Sequence, residues 1–112
     1  MNYPNPFSDK TKFVYTLTGS EPPSQYTIQI MTPNGRVVKE LTNNDLGDLQ
    51  IGTRVTERSW DGTDNFGDKL ANGVYFYRVR ALDNAGQKID LMSNETLDVG
   101  FKNGFGKLVI LR

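Results

Sequence analysis

The chain of 112 residues contains no cysteine and no histidine. Without cysteine, disulfide bonds and thiolate metal sites are excluded. Without histidine, the chain has no imidazole metal ligand and lacks the side chain that most often acts as a general acid or base near neutral pH. Histidine-based catalysis is therefore excluded, and we expect no cofactor and no catalytic residue in this domain.

Net charge, long apolar runs and an export leader are also missing. Thirteen basic residues balance thirteen acidic ones, which gives no surface suited to nucleic acid or to an anionic membrane. No apolar run approaches the roughly 20 residues that span a bilayer, and the start of the chain lacks the basic and then apolar pattern of a secretory signal. The length fits one domain, residues 1–112, which we expect to be excised from a larger secreted protein.

The stretch of residues 60–79 combines the strongest strand signal with closely spaced turn signals. It runs from Trp60-Asp61-Gly62 through Asn72-Gly73 into a tyrosine-rich segment. Aromatic and β-branched residues fit a pleated, half-buried surface, and glycine supplies the backbone freedom that turns need. We therefore predict that a strand follows Gly73, with Tyr75 and Tyr77 on its buried face.

The order of these residues is typical of the penultimate strand of immunoglobulin-like sandwiches. In that fold a tyrosine two residues before the core position bonds back to the preceding corner. Tyr75 is predicted to be this corner tyrosine, and Tyr77 to fill the core position. We predict that four residues define the fold: Trp60, Gly73, Tyr75 and Tyr77.

Alternating apolar residues predict further strands before this stretch. Residues 12–17 and 25–31 each place three apolar side chains on one face, namely Phe13, Tyr15 and Leu17, and then Tyr26, Ile28 and Ile30. Pro33-Asn34-Gly35 predicts a hairpin, because Asn-Gly adopts positive φ readily. Residues 43–52 read as a loop or a short helical turn, and residues 53–60 as a strand that delivers Trp60 to the core.

The lengths and turns together predict the fold class. About seven strands with turn signals about every ten residues, and no helical period, are typical of an all-β, immunoglobulin-like β-sandwich of antiparallel strands. The polar, glycine-bearing segment from Ser93 to Gly104 is expected to be a long loop.

Several carboxylates are close in sequence. Asp61, Asp64 and Asp68 could hold calcium through oxygen ligands, although their spacing is not that of a helix-loop-helix calcium loop. Aspartate is also ordinary turn chemistry, which is the favoured interpretation. Pairs such as Asp45 and Asp48 could support acid–base chemistry, but solvated loop acids explain them more simply.

The last strand has apolar residues on both faces, with Leu108 and Ile110 on one and Val109 and Leu111 on the other. Such a strand at a sheet edge tends to pair with other chains unless something covers it. One interpretation is that the loop from Ser93 to Gly104 covers it. The other is that a partner protein reads it by edge pairing. The sequence leaves both open.

Five motifs occur in an order that resembles a known family: Asn2-Tyr3-Pro4-Asn5-Pro6-Phe7, Ile28-x-Ile30 before Gly35-Arg36-Val37-Val38, Trp60-Asp61-Gly62-x-Asp64-x-x-Gly67, Asn72-Gly73-Val74-Tyr75-Phe76-Tyr77-Arg78-Val79, and Lys107-Leu108-Val109-Ile110-Leu111-Arg112. This order resembles the C-terminal sorting domains of the Por (type IX) secretion system of Bacteroidetes. It also resembles the related immunoglobulin-like domain of the flagellar hook-capping protein. Within the first group, the block of residues 60–77 is similar to the tail of the gingipain-like sortase, a cysteine peptidase.

The resemblance implies an exported, non-catalytic domain at the outer-membrane surface or outside the cell. Its implied function is a secretion and surface-sorting signal, and its implied partners are a shuttle protein, the translocon and the sortase, with no nucleic acid and no small-molecule substrate. The residues expected to be recognised form the terminal strand: Lys107, Leu108, Val109, Ile110, Leu111 and Arg112. The alternatives are a structural or carbohydrate-binding accessory domain of a surface enzyme, and a flagellar hook-cap sandwich.

Overall fold

A computed structural model describes residues 1–17, 22, 25–82, 88–90 and 106–112, with the backbone alone for residues 81, 82 and 88–90. Within these residues the chain forms strands and one short helix, in the order β1 (Asn2–Tyr3), β2 (Lys12–Leu17), β3 (Gln25–Met31), β4 (Val37–Thr42), α1 (Asn43–Leu46), β5 (Gly52–Val55), β6 (Gly73–Leu82), β7 (Lys88–Asp90) and β8 (Gly106–Ile110). In this part of the chain, no helix is long and apolar enough to cross a membrane.

The strands form two antiparallel sheets. One sheet has the order β1-β2-β5, and the other has the order β4-β3-β6-β7, with β8 also pairing β6. The first half of β6 pairs β8, from Gly73 with Ile110 to Tyr77 with Gly106, and its second half pairs β7. The predicted all-β sandwich of antiparallel strands is thus confirmed.

Period-two alternation places the core between the two sheets. Phe13 and Leu17 of β2 are buried, as are three alternating residues of β3: Tyr26, Ile28 and Ile30. The rings of Phe13 and Tyr77 meet edge to face across the sandwich, with centroids 5.1 Å apart. Successive side chains of a strand point to opposite faces, so these alternating residues form one apolar layer, as predicted. Tyr15, which was also predicted to point inwards, is partly buried against this layer.

The connections between β3, β4 and β5 follow local rules. The hairpin at residues 33–35 closes as predicted, with Gly35 at φ +90° and its N–H donating to the Thr32 carbonyl oxygen at 2.9 Å. Residues 43–46 form a helical turn, which is one of the two alternatives predicted for residues 43–52. Thr42 caps it: its side chain accepts from the Asn44 N–H at 3.2 Å, while the Asp45 carboxylate accepts from the Thr42 N–H at 2.9 Å.

The strand predicted over residues 53–60 is shorter than expected. β5 ends at Val55, and the chain then turns towards α1, where the Arg58 guanidinium donates to the carbonyl oxygens of Asn44 (2.9 Å) and Asp45 (3.0 Å). Those carbonyls lie at the end of the helical turn and have no intrahelical partner, so a cation there is favourable. Trp60 nevertheless reaches the core, where its side chain is 3% exposed. The predicted loop from Ser93 to Gly104 lies outside the described residues.

Candidate functional site

The residues predicted to be recognised by a partner lie on β8 and just after it. Leu108 and Ile110 are fully buried and Val109 is half-buried, whereas Lys107, Leu111 and Arg112 are exposed. The strand is therefore an integral part of the core on one face. The exposed side chains at positions 107, 111 and 112, together with the exposed part of Val109, offer a surface to another molecule.

The outer edge of β8 is occupied by the N-terminal segment of the same chain. Phe7 pairs Ile110 in parallel: its N–H donates to the Val109 carbonyl oxygen at 3.1 Å, and its carbonyl oxygen accepts from the Leu111 N–H at 2.9 Å. The amide of Asn5 extends this pairing, because its Nδ2 donates to the Lys107 carbonyl oxygen at 3.1 Å and its Oδ1 accepts from the Val109 N–H at 2.9 Å.

These four hydrogen bonds use backbone groups that a partner strand would need. Recognition of β8 by strand addition would therefore require the N-terminal segment to leave first. The cover is residues 5–7, which neither interpretation of the sequence had named.

Arg112 fixes the end of the chain to the segment that follows Trp60. Its guanidinium donates to the carbonyl oxygens of Leu70, Asp61 and Gly62, the last at 3.1 Å. Its backbone N–H donates to Asn72 Oδ1 at 2.9 Å, and Asn72 Nδ2 donates back to the Arg112 carbonyl oxygen at 3.3 Å. The guanidinium thus satisfies three carbonyls with charge-assisted bonds.

The aromatic part of this arrangement is the pair Phe7 and Trp60, with ring centroids 5.7 Å apart and both side chains buried. The Trp60 indole Nε1 donates to the Thr63 carbonyl oxygen at 3.0 Å, so its polar group is satisfied. We call the whole assembly the terminal clasp and define it as Asn5, Phe7, Trp60, Gly62, Asn72 and residues 107–112.

The other residues predicted to define the fold lie beside the terminal clasp. The Tyr75 hydroxyl donates to the Ala71 carbonyl oxygen at 2.8 Å, which is the backward bond that the corner-tyrosine interpretation predicts. Tyr77 is buried against Phe13. Gly73 opens β6 opposite Ile110. The structure therefore brings Trp60, Gly73 and Tyr75 next to the terminal strand.

Of the three aspartates considered as calcium ligands, Asp61 and Asp64 use their carboxylates within the turn, and Asp68 contributes its backbone N–H. Asp64 Oδ1 accepts from the N–H groups of Phe66 (2.9 Å) and Asp68 (3.0 Å), and Asp61 Oδ1 accepts from the Thr63 hydroxyl at 2.7 Å. Within the described residues no cluster of three acidic side chains is placed to hold a metal ion. Carboxylates used in this way are typical of turn capping.

The same turn covers the outer edge of β4. The Asn65 N–H donates to the Val38 carbonyl oxygen at 3.2 Å, and Asn65 Oδ1 accepts from the Glu40 N–H at 3.1 Å. Phe66 projects from the tip of the turn and is 90% exposed. Asn5 and Asn65 thus cover one edge each of the larger sheet by bonding with the side-chain amide.

Within the described residues, the raised pKa of Tyr26 and the hydrogen bonds of Asp45 and Asp48 belong to contacts that hold the fold together. Burial raises the pKa of the Tyr26 hydroxyl, with Tyr15 and Asp48 adding to the effect. This hydroxyl donates to the Gly47 carbonyl oxygen at 2.6 Å, which holds α1 against the core. Asp48 accepts from Asn43 Nδ2 at 3.3 Å, and Asp45 caps the helix. The two carboxylates considered as an acid–base pair therefore each have a local structural partner.

Sequence reasoning missed the asparagines that hold the terminal clasp. Asn5 and Asn72 contact β8 and Arg112 across 102 and 40 residues of chain, respectively. A usable signal was present for Asn5, because it lies between two prolines whose nitrogens donate no hydrogen bond. In such a segment a side-chain amide is the available group for bonding to a sheet edge.

Gly62 offers a direct test of how tightly the terminal clasp is packed. Its φ is +78°, and a Cβ at this position would lie 2.5 Å from Arg112 Nη2 and 3.2 Å from Phe7 Cε2. Gly62→Ala is expected to cost roughly 1–2 kcal/mol for the left-handed backbone, and more because the Arg112 side chain must move. Urea unfolding of Gly62→Ala measures this cost.

Gly67→Ala is the matched control for this measurement. Gly67 has a similar φ of +88°, but nothing lies within 4 Å of its would-be Cβ. Both substitutions carry the backbone cost, so only Gly62→Ala should carry the additional cost of displacing Arg112 and Phe7. Equal losses of stability in the two variants would mean that close packing around Gly62 contributes nothing.

Comparison with known proteins identifies related domains. A model of the FlgD Ig-like domain family matches residues 3–86, which is more than half of the chain. Among solved structures, the chain is similar to FlgD from Xanthomonas campestris, described in connection with hook capping essential for flagellar assembly; the TM-score is 0.54 with 22% identity over 92% of this chain and 77% of that chain.

A truncated FlgD from Helicobacter pylori strain 26695 is also similar, with a TM-score of 0.53 and 24% identity over 95% of this chain and 65% of that chain. At these identities the likeness to solved structures shows the fold alone, and it agrees with the predicted immunoglobulin-like sandwich. A shorter segment of 45 residues is 49% identical to the C5a peptidase of Streptococcus pyogenes and spans 40% of this chain but 4% of the peptidase.

These findings correct the expectation of a type IX sorting signal. The family that matches is the hook-capping one, so the predicted sorting function is wrong, and so are the predicted shuttle, translocon and sortase partners and the assignment to Bacteroidetes sorting. The expected position on the outer-membrane surface has no support in these relatives. The family match ends at residue 86, before β7 and β8, so recognition of residues 107–112 by a partner stays a prediction.

Proposed function

Because this chain belongs to the FlgD Ig-like domain family, we propose that it is an exported, non-catalytic domain that makes protein contacts within a flagellar hook cap. The match to the family model over residues 3–86 carries the proposal. It is supported by the similarity to FlgD from Xanthomonas campestris, whose structure is described in connection with hook capping. No reaction is assigned to the domain.

The geometry supports a contact made by side chains rather than by strand addition. Asn5 and Phe7 occupy the outer edge of β8, and Asn65 occupies part of the outer edge of β4. Edges that are covered in this way resist pairing with other chains. A rigid sandwich with blocked edges suits a hook cap, whose subunits must stay soluble until they are incorporated.

A domain exchange tests this function. The corresponding immunoglobulin-like part of Xanthomonas campestris FlgD is replaced by residues 1–112, and the cells are scored for swimming and for hooks by electron microscopy. We expect hooks to form. An unrelated immunoglobulin-like sandwich of similar size in the same position is the control and should give none.

The exchange has two outcomes that contradict the proposal. One is a stable, exported chimera that assembles no hooks. The other is equal hook assembly by the unrelated sandwich, which would mean that any domain of this size is tolerated there.

A second candidate function rests on the segment that is 49% identical to C5a peptidase of Streptococcus pyogenes. In this alternative the domain is a structural accessory domain in a larger exported peptidase, and catalysis belongs to another part of that protein. Sequencing the gene around this segment distinguishes the two candidates. A peptidase domain in the same reading frame supports the second, and its absence supports the first.

A further inference from the structure

The two ends of the described chain are joined by a parallel pairing. Phe7 pairs Ile110 in parallel. The Phe7 N–H donates to the Val109 carbonyl oxygen at 3.1 Å, and the Leu111 N–H donates to the Phe7 carbonyl oxygen at 2.9 Å. The Asn5 amide adds two more, at 3.1 Å to Lys107 and 2.9 Å from Val109. Four hydrogen bonds therefore lie in a row along β8.

The direction of this pairing decides how it responds to tension. In a parallel pair, the N-terminal end of one segment and the C-terminal end of the other point in opposite directions along the same axis. Tension between the ends of the chain first loads β1, which pairs β2. After β1 has separated, the tension pulls residues 5–7 one way and residues 107–111 the other. The two segments must then slide past each other, so the four hydrogen bonds carry the load together and break together.

The C-terminal side of this pairing is itself anchored. Arg112 is bonded through its backbone to Asn72 and through its guanidinium to the carbonyl oxygens of Leu70, Asp61 and Gly62. The aromatic pair of Phe7 and Trp60 fixes the N-terminal side in the core. Sliding must therefore also disturb these buried and charge-assisted contacts.

We propose that the terminal clasp is a mechanical clamp that lets the domain hold tension applied between its two ends. The property goes beyond the proposed function, because it belongs to the fold whether the domain lies in a hook cap or in a peptidase. It predicts a high unfolding force in this one pulling direction. Forced unfolding is governed by the unfolding rate and reports the barrier along the pulling direction.

Single-molecule force spectroscopy with two attachment geometries tests the clamp. In the first geometry, handles are fused before Met1 and after Arg112. In the second, one handle is attached to the thiol of Asn34→Cys and the other follows Arg112; the chain has no cysteine of its own, so this thiol is unique. β3 and β8 both run antiparallel to β6, so Asn34 and Arg112 lie at the same end of the sheet.

Tension in the second geometry acts across the strands and opens the bonds of β8 one after another. We therefore expect the end-to-end geometry to unfold at a several-fold higher force than the Asn34 geometry at the same loading rate. Equal forces in the two geometries would overturn the proposal.

Two asparagine variants test whether the hydrogen bonds to β8 bear the applied force. Asn5→Ala removes both amide bonds to β8, and Asn65→Ala removes the comparable amide bond to Glu40 at the β4 edge. After thermal melts establish that both variants fold, Asn5→Ala should lower the end-to-end unfolding force clearly and leave the Asn34 geometry nearly unchanged. Asn65→Ala should leave the end-to-end force unchanged. An equal loss of end-to-end force in the two variants would place the resistance in overall stability and reject the clamp.

Discussion

Replacing Trp60 by alanine is expected to lower the free energy of unfolding by about 3–5 kcal/mol, the usual cost of removing a large aromatic side chain from a core. Trp60 is 3% exposed and packs against Phe7 with ring centroids 5.7 Å apart. Removing the indole therefore leaves a cavity beneath the N-terminal segment and frees Phe7. A small domain has only about 5–15 kcal/mol of stability in total, so a large share would be lost.

Urea unfolding followed by circular dichroism measures this loss, because the variant has no tryptophan for fluorescence. Trp60→Phe is the control, since it keeps an aromatic ring beside Phe7 and removes the indole N–H that donates to Thr63 at 3.0 Å. We expect this control to cost roughly 1–3 kcal/mol, as for a partly buried acceptor left without its donor. A Trp60→Ala cost below that of Trp60→Phe would contradict the assignment of Trp60 as a core anchor.

The part of the fold that depends on local pattern could be predicted from the sequence. Alternation placed Ile28 and Ile30 in the core because the side-chain period of a strand is two residues. The turn at Asn34-Gly35 followed from the backbone preferences of those residues. Alternation does not show where a strand stops, so the sequence did not predict that β5 ends at Val55. After Val55 the regular pairing gives way to separate contacts: the Thr56 N–H donates to the Phe13 carbonyl oxygen at 2.9 Å, Arg58 bonds to α1, and Trp60 bridges Thr11.

The terminal clasp could be predicted only in part. Trp60 and Tyr75 carry strong residue preferences, but the bonds of Asn5 to β8 span 102 and 104 residues of chain, and no local period encodes a contact of that separation. The cover on the edge of β8 was therefore not assigned to the N-terminal segment.

The same geometry explains why the resemblance to sorting domains was right about the fold and wrong about the function, whereas the resemblance to the hook-capping domain agrees with the family match. The motifs around Trp60, Gly73 and Tyr75 pack against the terminal strand and close the sandwich. Such residues determine how the sandwich closes. They do not determine its function, because one fold can carry several functions. The sorting function was inferred from motifs that describe the sandwich rather than from a surface that a partner contacts.

The terminal strand is also expected to contribute strongly to the free energy of unfolding. Ile110→Ala is expected to cost about 2–5 kcal/mol, as for other buried aliphatic side chains, because Ile110 is fully buried where β8 meets β6 and Phe7. The adjacent Leu111 is 56% exposed, so Leu111→Ala should change stability by no more than about 0.5 kcal/mol.

Urea unfolding of the two variants, followed by Trp60 fluorescence, compares two apolar residues next to each other on one segment. If residues 107–112 were an appended recognition tail, neither substitution would affect the stability of the sandwich. Small and similar losses of stability in both variants would therefore reject a role of this segment in closing the fold. A large effect at Ile110 alone means that the terminal strand stabilises the core, so a truncation cannot separate loss of recognition from loss of structure. Recognition by a partner must then be tested at the exposed side chains of Lys107 and Leu111, whose substitution leaves the core intact.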